Sequence, residues 1–127
     1  MTEAHILALY GFLVLLTLLL QVTGSMQQLS LGYLMSNRDE HRSVTGWTAR
    51  LKRALDNSVV AMALFAPAIL LLIATKQTSD ASLLAAQVFL IGRIVYLPAY
   101  VFGLVGLRTL SWLVGFAATT VLYFLAL

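Results

Sequence analysis

The sequence predicts an all-α integral membrane protein: a four-transmembrane-helix bundle forming one membrane domain over 1–127. Three observations carry this. Hydrophobic residues make up 61% of the 127, with only eight basic and five acidic side chains, whereas soluble domains devote about a quarter of their residues to charge. Four apolar stretches, at roughly 5–24, 54–74, 82–104 and 107–127, each approach the roughly 20 residues a helix needs to cross a bilayer core. The charges are also segregated, most of them lying between stretches. Four crossings leave nothing for a soluble domain; three spans with one re-entrant segment is the alternative.

The first span begins in MTEAHILALYG, which lacks the basic leader of a secretory signal and carries Glu3 instead, so it is expected to remain as an anchor. Past Gly24 its apolar residues thin out, and Gln21, Gln27, Gln28 and Ser30 prefer protein or headgroup neighbours to lipid. The absence of a carboxylate buried in this span argues against a proton-coupled exporter.

The segment SNRDEHRSVTG is the one substantial loop, and Thr45 is a plausible cap for a helix starting near Trp47, an interfacial residue. Span two follows, and Thr78 or Ser79 can cap the third helix, with Asp80 in its first turn. Spans three and four, separated by a few residues around Val105 and Gly106, must form an antiparallel hairpin. Pro67 and Pro98 fall inside apolar segments, where they bend helices. Gly115, Ala118 and Thr119 allow close packing of the last helix.

Charge placement sets an expected orientation. Arg38, Arg42, Arg50, Lys52 and Arg53 lie between spans one and two against Asp39 and Glu40, and Arg108 lies at the last turn. Positive-inside bias puts these loops in the cytoplasm and both termini on the other side. A nucleic-acid partner needs a soluble basic surface, which is absent. Without cysteine, the chain has no thiolate nucleophile and no Cys-ligated metal, and no metal site is expected.

Arg50, Arg53, Asn57, Val60 or Ala61, and Leu64 share one face of span two, with Asp56 on its flank. In span three, Arg93 sits mid-membrane, and lipid exposure there costs about 2.5–3.5 kcal/mol or more; it must face protein or water. Tyr96 and Tyr100 continue its face. Counting residues from the helix ends puts Arg93 and Asn57 at one depth, about 15–16 Å in. The expectation is a cavity with Arg50 and Arg53 at its mouth, Asn57 and Arg93 deeper, Arg108 at the rim, and Asp56 neutralising Arg53 or Arg93. A plainer reading has Arg50, Lys52 and Arg53 snorkelling to set topology and an Arg93–Asp56 pair fixing the packing.

These residues resemble the membrane-associated proteins in eicosanoid and glutathione metabolism, the MAPEG family, especially its small bacterial members. The resemblance rests on Arg50, Arg53, Ala54, Asn57 and Phe65, on Arg93, Tyr96 and Tyr100, and on the run from Gly106 to Trp112. It covers nearly the whole chain and implies a homotrimer in a bacterial inner membrane, with glutathione as cosubstrate between subunits. It implies that Arg50, Arg53, Asn57, Arg93 and Tyr100 bind the peptide and that Arg108 stabilises its thiolate, for attack on an apolar small-molecule electrophile; Asp56 and Tyr96 join the candidate binding residues from their place beside these. Where the family places Glu and then Pro, this chain has Val60 and Ala63, and Leu29 stands near the position of a first-span arginine. The alternative is therefore a noncatalytic lipid-binding or scaffolding relative with a degenerated glutathione site.

Overall fold

The computed structural model describes residues 1–37 and 43–127. Within these residues five helices follow in order: α1 (Glu3–Gln28), α2 (Leu31–Leu34), α3 (Gly46–Ala74), α4 (Asp80–Val101) and α5 (Val105–Ala126). All but α2 are long and apolar enough to span a bilayer, so the four expected crossings are present in an integral membrane protein. They run up and down in turn. Arg50, Lys52, Arg53 and Arg108 gather at the end where α1 and α4 finish, here called the basic end. The loop residues Arg38, Asp39, Glu40 and Arg42 invoked for orientation lie outside the described residues.

Each long helix starts ahead of its apolar stretch, and two of these starts, those of α1 and α4, carry side-chain caps. Thr2 and His5 form a reciprocal capping box at α1, and Ser79 and Ser82 form another at α4. Of the two expected caps for α4, Ser79 takes the position, with Asp80 in the first turn. Thr45 holds the N-cap position of α3, but its side chain makes no capping bond. The Thr45 amide instead donates to Gln28 Oε1 at 2.8 Å, while Gln28 Nε2 donates to the Thr45 carbonyl oxygen at 3.0 Å. Gln28 thereby fastens the end of α1 to the start of α3, a protein neighbour of the kind its polarity called for.

At the opposite end the sequence expectation fails. Glu3 is buried, with 7% exposure, and its Oε1 accepts a 2.6 Å hydrogen bond from the Ser82 hydroxyl. The first helix does bury a carboxylate, because α1 and α4 run parallel and bring their first turns together. The expected absence of a buried carboxylate in the first span, and with it the case against a proton-coupled exporter, does not hold.

The apolar core lies towards that end. Phe65 and Phe89 stack with centroids 3.9 Å apart, and Tyr10 meets both edge-on at 6.0 and 4.9 Å. Ile6, Ile69, Leu72, Ala86 and Leu122 are among the other members of the buried cluster. Pro67 and Pro98 sit within continuous helices. Along the α4–α5 hairpin, Gly92 faces the backbone of Ser111 and Gly115, and Gly115, Ala118 and Thr119 are buried, so the small residues do mark the close-packed stripe. Large apolar side chains such as Phe12, Leu19, Ile91 and Phe124 remain exposed on the outside, as a lipid-facing surface requires.

Candidate functional site

Arg93 is 3% exposed and turned into the bundle, as its mid-membrane position demanded. Its Nη1 donates to Asn57 Oδ1 and its Nη2 to Ser58 Oγ, both at 3.0 Å. The equal depth counted along the two helices therefore brings Arg93 and Asn57 into contact. The guanidinium carbon also lies 4.1 Å from the Tyr96 ring centroid, a cation–π arrangement that compensates part of the lost hydration. The Tyr10 hydroxyl donates to the Ser58 carbonyl oxygen at 2.7 Å and adjoins the same guanidinium. Arg93 Nε is buried without a partner among the described residues.

The expected Arg93–Asp56 ion pair is not formed. Asn57 and Ser58 point into the bundle, whereas Asp56 lies on the exposed side of α3. Helical phase explains the difference, because adjacent residues are turned by about 100° about the axis. Arg93 is thus held by neutral acceptors, and among the described residues Asp56 has no cation within 4.0 Å, Arg53 included.

The other cations meet near the α4–α5 turn. Arg50 Nη1 donates to the Val101 carbonyl oxygen at 3.2 Å, serving as a C-terminal cap for α4. Gly103, with φ +74°, passes beneath the Arg50 guanidinium, and a Cβ there would stand 3.4 Å from Nη1. Arg53 Nε donates to the Tyr100 hydroxyl at 3.3 Å, and the Arg108 guanidinium carbon lies 4.8 Å from the centroid of the same ring. Tyr96 and Tyr100 are 5.7 Å apart between centroids. The tyrosines thus join the inner arginine to the outer pair through one aromatic wall.

Two cavities adjoin this wall. A cleft of about 320 Å³ runs between α3 and α5, with Phe89 and Arg93 of α4 at its base and Asn57, Val60, Leu64, Trp112 and Phe116 among its walls. A smaller pocket of about 220 Å³ is formed by Tyr96, Arg108, Thr109 and Trp112. Trp112 borders both. The sequence did not single out Ser58, Tyr10 or Trp112 as site residues. A lone tyrosine within an otherwise apolar span was a usable signal for Tyr10; for Ser58 the signal was a hydroxyl next to Asn57.

Chemically, the basic end offers cations on an aromatic support, and the cleft offers an apolar surface ending in a buried donor group. Among the described residues no cluster of His, Asp or Glu suits a metal ion. The sequence profile of the MAPEG family matches residues 4–127. Comparisons with curated proteins and with solved structures gave no match.

Proposed function

The chain belongs to the MAPEG family, and from that premise we propose that it is a glutathione-dependent membrane transferase or peroxidase acting on an apolar electrophile. Membership supports glutathione use in general, and the lipid-facing helices support an apolar partner. The observation that carries the reading is the convergence of Arg53 and Arg108 on Tyr100. Two cations gathered without a carboxylate between them suit an anionic cosubstrate.

In this reading Arg50, Arg53, Asp56 and Asn57 hold the peptide groups of glutathione, while Arg93, Tyr96 and Tyr100 line and stiffen the site. Arg108 favours the thiolate over the thiol by its positive charge. The sulfur then forms a bond to an electrophilic carbon as the electron pair of the broken bond passes to the leaving atom. With a lipid hydroperoxide, two glutathione molecules supply the two electrons, leaving disulfide, alcohol and water. The cleft between α3 and α5 presents the apolar substrate from the membrane. The functional unit is a homotrimer in a bacterial inner membrane, its basic end cytoplasmic.

One observation favours a second reading, a noncatalytic lipid-binding or scaffolding relative. Val60, 59% exposed, lies on the cleft wall and offers no acceptor where the family places Glu. Equilibrium glutathione binding to purified protein in detergent separates the two for wild type, Arg53→Ala and Val60→Glu. Saturable wild-type binding weakened by Arg53→Ala supports the enzyme; no wild-type binding, restored by Val60→Glu, supports the degenerated site. A detergent-corrected mass of a stable monomer or dimer counts against the trimer.

A further inference from the structure

Over residues 121–126 the last turns of α5 are apolar except for the hydroxyl of Tyr123. A phenol facing hydrocarbon without a partner is costly, and this one donates to the Leu64 carbonyl oxygen at 2.7 Å, so the side chain crosses from α5 to α3. Helical geometry sets the direction, because side chains lean towards the N-terminus of their own helix. As α5 begins at the basic end, the ring reaches back towards the cleft. The crossing divides the groove between the two helices. On the basic side lies the cleft of about 320 Å³, and on the other an apolar cavity of about 340 Å³ walled by Leu71, Phe124 and Leu127. Thr120 and Tyr123 border both, which makes them one groove with a bar across it.

The two compartments differ in chemistry. The first ends in Asn57 and Arg93 and shares Trp112 with the pocket of Arg108; the second is lined by no charged side chain among the described residues. An electrophile reacting beside Arg108 therefore has its polar end at Trp112 and its apolar chain running towards Tyr123. We propose that the Tyr123–Leu64 bridge limits the length of apolar chain the cleft accepts, which makes Tyr123 a specificity-determining residue and straight-chain electrophiles of medium length the preferred substrates. This rests on the transferase reading above. From Trp112 to Tyr123 the helix rises about 16 Å at about 1.5 Å per residue, the length of roughly 12–14 bonds in an extended chain. A longer chain must lift the ring off Leu64 or turn out into the lipid.

The test is binding of straight-chain alkanols, from hexanol to octadecanol, to full-length protein in nanodiscs without glutathione. Trp47→Phe leaves Trp112 as the only tryptophan; decanol brominated at its second carbon quenches it from the cleft, and the plain alkanols compete. With Tyr123 present, affinity referred to free aqueous alkanol is expected to rise about three- to fourfold per methylene as far as dodecanol or tetradecanol, and then to level off. Tyr123→Ala carries the rise on to octadecanol, and Tyr123→Phe, which keeps the ring but not the bond, gives a shallower break at the same length. A rise that continues unbroken with Tyr123 present, a break unchanged in both variants, or no competition at any length overturns the proposal. In parallel, glutathione is offered 2-alkenals of the same lengths, its sulfur bonding to the third carbon while a proton passes to the second. An optimum at the length of the binding break supports the substrate assignment. The binding break with no turnover at any length overturns that assignment and the transferase reading together, and upholds the length limit for a lipid-binding relative.

Discussion

Arg93 Nη1 stands 3.0 Å from Asn57 Oδ1, and this contact fixes which way the amide faces. A guanidinium has only donors, so it must hold the Asn57 oxygen, and the amide NH₂ is turned to the other side. Asn57 also lines the cleft, and under the glutathione reading its NH₂ is the group left to meet an acceptor on the bound peptide. Under the same reading Arg93 acts through Asn57 as a positioning group.

Removing that guanidinium leaves buried acceptors without partners. Arg93→Ala is expected to lower stability by about 2–4 kcal/mol, since Asn57 and Ser58 lose a charged donor and the Tyr96 ring its cation. Arg93→Lys keeps the charge but not the forked geometry and is expected to fall between. Unfolding midpoints in a detergent–denaturant titration check the order; an Arg93→Ala protein as stable as wild type would contradict it.

Asn57→Asp tests the amide orientation. The carboxylate keeps the acceptor for Arg93 but removes the donor facing the cleft. Stability is expected to be retained, while glutathione affinity falls about tenfold, the worth of one good hydrogen bond to a charged group. Calorimetry and unfolding on the same sample separate the two effects.

Arg108→Ala removes the cation proposed to stabilise the thiolate. With Arg53 and Asp56 untouched, glutathione binding at low pH, where the ligand is a thiol both free and bound, is expected to change little, whereas at high pH, where it is a thiolate, binding weakens. The thiolate fraction at neutral pH and kcat should fall about 10- to 100-fold. Ultraviolet absorbance of the thiolate on titration of the bound thiol provides the check, with Arg108→Lys recovering part of the loss.

The glycines give a graded packing test. A Cβ at Gly24 would stand 2.5 Å from Thr48 Oγ1 and 2.8 Å from the Trp47 ring; at Gly92 it would meet the Ser111 carbonyl oxygen at 3.3 Å; at Gly115 the nearest atom is 3.6 Å away. Alanine is therefore expected to be most damaging at Gly24, intermediate at Gly92 and near neutral at Gly115, spanning roughly 0–3 kcal/mol. Thermal unfolding of the three single variants in one detergent gives the ranking.

Glu3→Gln and Glu3→Ala distinguish a hydrogen-bonding role from a charge role at the opposite end. Glutamine still accepts from the Ser82 hydroxyl and should cost little. Alanine leaves Ser82 without its interhelical acceptor and should cost about 1 kcal/mol. Amide hydrogen exchange in the first turns of α1 and α4 would report the loosening locally.

Much of this molecule is visible in one dimension. Length and apolarity fixed four crossings, and small residues marked the α4–α5 seam. The energetic penalty for lipid-exposed charge turned Arg93 inward, and counting along two helices brought it level with Asn57. These follow from period, length and burial cost, which are local or nearly so. Which neighbour meets each side chain is not local. Helical phase sent Ser58 to Arg93 and left Asp56 outside, parallel packing of α1 and α4 buried Glu3 against Ser82, and Tyr100 drew Arg53 away from the adjacent acid. The sequence by itself determined that the protein lives in a membrane and where its polar groups lie in depth. Only the tertiary structure decided their partners, because hydrogen bonds and ion pairs act over about 3–4 Å and depend on rotations that composition and spacing do not specify.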